Sequence, residues 1–322
     1  MRRVHLRGHD NIRGRSRFLT NPSQFSYLSP MARSAVANRA AESLNYGVVS
    51  DEFGAWSYIL ARPAHLSGLV DHIWLFDGTM TCLRERTFPN GLLEIIVHLG
   101  PRYNLVEPGG PRLCPTTCLT GLQLRHLVVE APAVRTKVLG IRLTPAGAYA
   151  VLARPMHELA SLTVDLEALA GQEADELAAR CHQAADGEGC IAAAAAWIES
   201  RLARSCRLDP AIAWMLDEIW QRRGAVSIRR LQEQSGWSKT RLVSTFSVQV
   251  GVSPKQYARV MRFSRALRLI HAASGSLSDV AADAGYYDQP HMNGEFKELS
   301  GFTPGEFLSS HRFPNSVSVA EA

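Results

Sequence analysis

The chain has 322 residues, 46% hydrophobic and 20% charged, enough for two domains with packed cores and unlike a disordered or collagen-like polypeptide. No run approaches the roughly 18 uninterrupted apolar residues of a membrane helix, so no membrane association is expected. The formal net charge of +5 is uneven: +6 over residues 1–50 (8 basic, 2 acidic), −4 over 51–209 (14 and 18), +4 over 210–313 (13 and 9) and −1 in the tail.

A basic C-terminal segment suits a polyanionic partner, although 31 of the 35 basic residues are Arg and composition accounts for part of the excess. The six cysteines form no CxxC pair, the closest being Cys114 and Cys118, so neither a zinc ribbon nor a disulfide framework is indicated. A reducing cytoplasm is the expected compartment. The first 20 residues hold six arginines against one acid, but no apolar segment follows them, which argues against a secretory signal.

Residues 1–48 lack sustained periodicity and read as a mobile basic arm, or as an over-extended start with Met31 as the initiator. From Trp56 to Leu143 the chain changes to short apolar runs at 72–76, 92–99, 118–124, 126–131 and 138–143. Turn residues separate them, as in FPNG at 88–91 and EPGG at 107–110, and no crossover helix fits between. This predicts antiparallel strands curled into a barrel or sandwich. After residue 147 the composition becomes helical, with apolar spacing through Val164 to Leu177 and an Ala-rich run from Ile191 to Ala203, interrupted by DGEG at 186–189.

The C-terminal third carries an internal repeat. One copy runs from Ile228 and Leu231 through Gly236-Trp237, Ser238, Leu242 and Phe246 to Gly251, Pro254 and Tyr257. The other runs from Leu277 and Val280 through Gly285-Tyr286, Asp288, Met292 and Phe296 to Gly301, Pro304 and Phe307, offset by 49 or 50 residues. Ser227 or Ser276 can cap a first helix, Gly236 or Gly285 supplies a turn of permissive φ, and Ser238 or Asp288 caps a second. Each copy is thus a helix-turn-helix. Ser253-Pro254 and Thr303-Pro304 each look like an N-cap followed by Pro at the first helical position. Pro254–His271 would form one helix of 18 residues, about 27 Å long, able to space the two units along successive major grooves.

These segments, GWSKTRLVSTF with GVSPKQYARVMRFSRAL and DVAADAGYYDQPHMNGEFKELSGFTPGEF, resemble the AraC/XylS family of bacterial transcription regulators over residues 211–310. The resemblance implies sequence-specific binding to double-stranded DNA, with RNA polymerase as a further partner and activation as the mode, repression being the alternative. It implies a first recognition helix at 239–246, with Thr240, Val243 and Ser244 facing bases and Lys239 and Arg241 suited to phosphates. It implies a second at 289–296 presenting Gln289, His291 and Asn293, of which Gln and Asn can pair bidentately with adenine. The family often has Arg where this chain has Ser244 and Gly294, and a small Ala at Gln232; Gly294 weakens a helix interior by about 1 kcal/mol.

The expected fold class is therefore α+β: a β-rich barrel or sandwich with trailing helices, then an all-α domain of two helix-turn-helix units joined by a long helix. The expected limits are an arm at 1–48, a sensory or dimerisation domain at 49–208, a DNA-binding domain at 209–313 and a tail at 314–322. A small-molecule effector and a second copy of the chain are the partners expected of the N-terminal half, with the helical segment 148–205 relaying its state. Trp214, Trp220 and Trp237 are expected to pack in the core, and Arg262, Arg265 and Arg268 to be solvated helix arginines. His65, His72, His98 and His126 lack an HxH pair or a spaced carboxylate, so no metal is expected. Cys82, Cys114 and Cys118 lack a motif for a reactive thiol. No Gly-rich phosphate loop, G-x-S-x-G or HExxH occurs, so neither cofactor nor catalysis is expected. The alternative is a small-molecule-binding protein or enzyme with a degenerate helix-turn-helix appendage.

Overall fold

The computed structural model describes residues 43–51, 53–81, 84–203, 206–272, 275–310, 312–313 and 316–318. The first 42 residues, which make up most of the expected arm, and Cys82 lie outside them.

Strands β1 (Ser43–Asp51), β2 (Gly54–Arg62), β3 (Val70–Met80), β5 (Leu93–His98), β8 (Thr117–Thr120), β10 (Thr136–Leu143) and β11 (Thr163–Asp165) make one antiparallel sheet in the order β1-β2-β3-β10-β5-β8-β11. A second sheet has the order β12-β13-β4-β9-β6-β7, from β4 (Arg84–Thr87), β6 (Asn104–Glu107), β7 (Gly110–Leu113), β9 (Leu127–Glu130), β12 (Arg312–Phe313) and β13 (Ser316–Ser318). Alternation dictates which side each strand buries: in β2, Trp56, Tyr58 and Leu60 point inward while Ala55 and Ser57 face solvent. β10 is paired on both edges, with β3 and β5, and its apolar residues are buried on both faces.

Three expectations are overturned by the strands. Residues 43–48, assigned to the arm, begin β1; Leu44, Tyr46 and Val48 alternate, but they face outward, with Val48 83% exposed, so the run lacks the buried face that marks a strand. Within the tail, Ser316–Ser318 pairs with β4. The run at 118–124 leaves the sheet after Thr120, where the Gly121 N–H donates to the Leu162 carbonyl. Val164, counted in a helical spacing, lies in β11 opposite Leu119, because the open edge of β8 offers its backbone groups better partners than a first helical turn would.

Helices α1 (Pro145–Leu152), α2 (Glu167–Ala170), α3 (Gln172–Gln183) and α4 (Gly187–Leu202) cover the larger sheet. The DGEG segment opens at the break between α3 and α4: Asp186 is the N-cap of α4 and accepts from the Gly189 N–H. Then follow α5 (Pro210–Gln221), α6 (Ile228–Ser235), α7 (Lys239–Val250), α8 (Pro254–His271), α9 (Leu277–Ala284), α10 (Gln289–Ser300) and α11 (Pro304–Ser309). Gly236 and Gly285 close α6 and α9 at φ of 68° and 85°, where a side chain would be strained. Ser253 and Thr303 each complete a capping box ahead of their prolines.

The first unit shares one continuous core with the β-domain helices, including Leu231, Leu242, Phe246 and Tyr257. The second has its own, in which Phe263, Phe296 and Phe307 are joined by Phe88 from the segment between β4 and β5. Phe88 meets Phe263 and Phe307 edge-on, at 6.1 and 5.9 Å between ring centroids.

Candidate nucleic-acid interface and internal cavity

Leu242, Phe246 and Val250 anchor α7, which turns Lys239, Thr240, Arg241, Val243 and Ser244 outward together. The Ser238 hydroxyl accepts from the Arg241 N–H at 3.3 Å, and the Arg241 guanidinium lies 4.1 Å from the Trp237 ring centre. Trp237 therefore supports an exposed cation while packing against the core, as Trp214 and Trp220 also do. The Ser244 hydroxyl donates to the Arg241 carbonyl.

Met292, Phe296 and Leu299 anchor α10. Asp288 accepts from the His291 N–H at 2.8 Å, and the His291 ring stands edge-on to Tyr286 with Nε2 3.5 Å from Glu295. Gln289 and Asn293 are half-buried, while His291 is exposed. Asn293 Oδ1 has no hydrogen-bond partner among the described residues. A Cβ added at Gly294 would meet nothing within 4 Å, so the helix face there is open.

Sequence reasoning overlooked Tyr287, which is 93% exposed immediately before α10. The signal was in the repeat: the offset is 49 at Gly236/Gly285 and Trp237/Tyr286 but 50 at Ser238/Asp288, so Tyr287 is the inserted residue. Nor are all the spacer-helix arginines simply solvated. Glu295 accepts from Arg262 at 3.2 Å and pairs with Arg259, which also binds Glu298; Arg262 further reaches the Gly224 carbonyl. Arg268 donates to the Ser264 carbonyl, and burial lowers the Arg265 pKa.

Between the sheets lies a cavity of about 140 Å³. Trp74, Phe76, Ile96, Leu105, Leu127 and Val129 give it apolar walls from both sheets. Its polar lining includes Glu85, Glu94, His98, Tyr103, Gln123 and Arg142. Glu94 accepts from Trp74 Nε1 at 2.8 Å and from Arg142 Nε at 2.7 Å, on directly paired residues of β5 and β10. His98 donates from Nδ1 to the Pro115 carbonyl at 3.0 Å, and burial pulls its pKa down to about 4, so the ring is neutral near pH 7. Burial raises the Tyr103 hydroxyl pKa. Cys114 and Cys118, both free and buried, line the same space.

The histidines considered for a metal are dispersed. His98 lines the cavity, His65 pairs with Glu199 on the surface, and buried His72 binds Asp71 through Nδ1 at 2.8 Å. His126 lies against the end of α10, and burial with Arg86 nearby pulls its pKa down to about 4. Among the described residues no three His, Cys, Asp or Glu side chains are grouped to hold a metal ion. Nor is any helix among them long and apolar enough to cross a membrane.

The Helix-turn-helix domain family matches residues 231–310, and a domain of unknown function, DUF6597, matches residues 60–165. The C-terminal third is an AraC-type helix-turn-helix domain. A curated relative, the uncharacterized HTH-type transcriptional regulator YbfI of Bacillus subtilis, is 34% identical over 67 residues, 21% of this chain. Those residues span 24% of that relative's length. Among solved structures the chain is similar to ToxT from Vibrio cholerae O395, at 12% identity and a TM-score of 0.41, covering 70% of this chain and 95% of that one. The C-terminal domain of AraT from Geobacillus stearothermophilus is similar at 19% identity and a TM-score of 0.31, covering 32% and 88%.

Proposed function

We propose that the protein is a cytoplasmic, non-enzymatic regulator of transcription that reads double-stranded DNA with α7 and α10 and takes a small-molecule effector in the cavity between its sheets. The carrying observation is the pair of capped helix-turn-helix units on one 18-residue helix, each turning the polar side of its second helix to solvent. In this reading Lys239 and Arg241 bind phosphates, Thr240, Val243 and Ser244 face bases, and Gln289, His291 and Asn293 read the second half-site. Activation through RNA polymerase is the mode the family resemblance implies, and a second copy of the chain is the remaining proposed partner.

The contacts support two relay routes where the sequence suggested one. The expected helical segment serves the first unit, since α7 packs on α1 and on the short turn Met156–Leu159. The second unit is held by a wall of the cavity itself. Thr87, Phe88, Pro89 and Asn90 line the cavity; Ser264 Oγ of α8 donates to the Pro89 carbonyl at 3.4 Å, and Phe88 enters the second core. Arg86, next along β4, donates to the Ser300 carbonyl at the C-terminus of α10 and stacks 4.3 Å from the Phe302 ring centre. An effector that displaces residues 87–90 would therefore act on α8 and α10 directly, to the extent that its affinity differs between the two arrangements.

The test is selection of preferred duplexes from a random pool by the purified full chain at two salt concentrations. Two sequence blocks about one helical turn apart are expected. Gln289→Ala is expected to relax the base preference, and Lys239→Ala to weaken all duplexes alike and flatten the salt dependence. An unchanged preferred sequence in Gln289→Ala would remove that residue from the readers, and no enrichment under any condition would favour the appendage reading.

A further inference from the structure

The two cysteines in the cavity are placed as a chelating pair. Cys114 follows β7 and is fixed by its N–H, which donates to the Tyr103 carbonyl at 2.9 Å. Cys118 lies on β8 opposite Ile96 and therefore shares the cavity side of the sheet with it. The two side chains lie four residues apart on the same cavity wall, and both are almost fully shielded from bulk water. The neighbouring Cys118, with Arg112 and Arg102 nearby, lowers the Cys114 pKa, while the Cys118 pKa is raised by Cys114 and by burial.

Two buried thiols on one cavity wall suit a ligand atom that is soft and binds both. A tetrahedral zinc ion is a poor match, because no third His, Cys, Asp or Glu among the described residues completes a set. A three-coordinate pyramidal centre needs only two sulfurs, and its third substituent would project into the space beside Trp74, Phe76 and Tyr103. That space, at about 140 Å³, is close to the roughly 150 Å³ of a cavity that accepts benzene.

We propose that Cys114 and Cys118 form a site for a trivalent arsenic or antimony species carrying a small apolar or hydroxyl substituent. The step is a condensation without redox change: two S–H bonds and two As–O bonds break, two As–S bonds form, and each thiol proton leaves with a hydroxide as water. The site deepens the proposed effector role of the cavity and rests on it for its regulatory meaning, but not for its chemistry. Cys181 and Cys190 provide an internal control: the Cys181 thiol donates to the Cys190 carbonyl, and both sit in the packed core of α3 and α4, away from the cavity.

The test uses the reduced full chain with phenylarsine oxide and an excess of glutathione, which strips arsenic held by a single thiol. One phenylarsenic group per chain is expected by intact mass, located on the tryptic peptide Leu113–Arg125, which contains both cysteines. Cys114→Ser and Cys118→Ser should each abolish it, with Cys114→Ala as a second variant and thermal melting as the check on folding; Cys181→Ser should retain it. An adduct that survives in folded Cys114→Ser or Cys114→Ala, an adduct on Cys181 and Cys190, or none at all would overturn the proposal. Binding to a selected duplex is then measured with and without phenylarsine oxide, and about a tenfold change is expected. A bridged adduct with unchanged DNA occupancy would leave the dithiol site standing and count against the effector reading. A DNA response to another ligand, with no bridged adduct, would overturn the dithiol site alone.

Discussion

The two helix-turn-helix units share a sequence plan yet differ in what holds them. The first is continuous with the core beneath the β-domain helices, and its α7 rests on α1 and the Met156–Leu159 turn. The second has a separate aromatic core that Phe88 and Leu124 of the β-domain join, with Ser264 on the Pro89 carbonyl and Arg86 at the end of α10. A repeated local pattern therefore produces two copies of one motif with unequal access to the rest of the protein. The second unit, whose α10 carries Gly294, is the one tied to a cavity wall.

The sharpest way to break this contrast is to remove the anchors. Phe88→Ala is expected to destabilise by about 3–5 kcal/mol and Met156→Ala by about 2–5 kcal/mol, measured by chemical denaturation. Limited proteolysis should then cut first in the second unit for Phe88→Ala and in the first for Met156→Ala. The same cleavage pattern in both variants would mean that the units are not separately anchored.

The turn glycines should sharpen it further. At Gly236 a Cβ meets nothing within 4 Å, so Gly236→Ala carries only the left-handed backbone cost, about 1–2 kcal/mol. At Gly285 a Cβ would come within 2.6 Å of the Ala225 Cβ, so Gly285→Ala should cost measurably more. Equal losses in the melting temperature would show that the second turn relaxes freely. A smaller effect, about 1 kcal/mol, is expected for Ser253→Ala or Thr303→Ala, each losing one capping box; a loss restricted to one of the two would show that the caps are not equivalent.

The last effect concerns pH. His98 and His126 have folded pKa values near 4, below the ordinary 6.5, so the unfolded chain binds more protons between those values. Stability is accordingly full above pH 6.5 and falls as pH drops towards 4. His126→Asn should flatten part of that slope, and an unchanged slope in denaturant titrations would mean that its neutral form is not selected at the α10 contact.

Local chemistry was legible wherever a residue acts on its immediate neighbours. The caps at Ser227, Ser238, Ser253, Ser276, Asp288 and Thr303 and the 18-residue span of α8 followed from capping and turn rules. Illegible were β1, whose exposed alternation has no buried partner face, and β11, which exists because β8 has an open edge. Tyr287 was readable from the change in repeat offset but was passed over. The candidate recognition residues came from the resemblance; the structure turns Lys239, Thr240, Arg241, Val243 and Ser244 outward together and leaves Gln289 and Asn293 partly covered.

By itself, then, the sequence determined the class of this protein: periodicity, caps and glycine turns are short-range properties, and two copies of them define two helix-turn-helix units. Tertiary structure alone decided that Cys114 and Cys118 share a cavity with Glu94, Arg142 and His98, and that Phe88 belongs to the core of a distant unit. These are contacts between residues far apart in the chain, set by sheet order and by how the helices pack, and no local pattern encodes them.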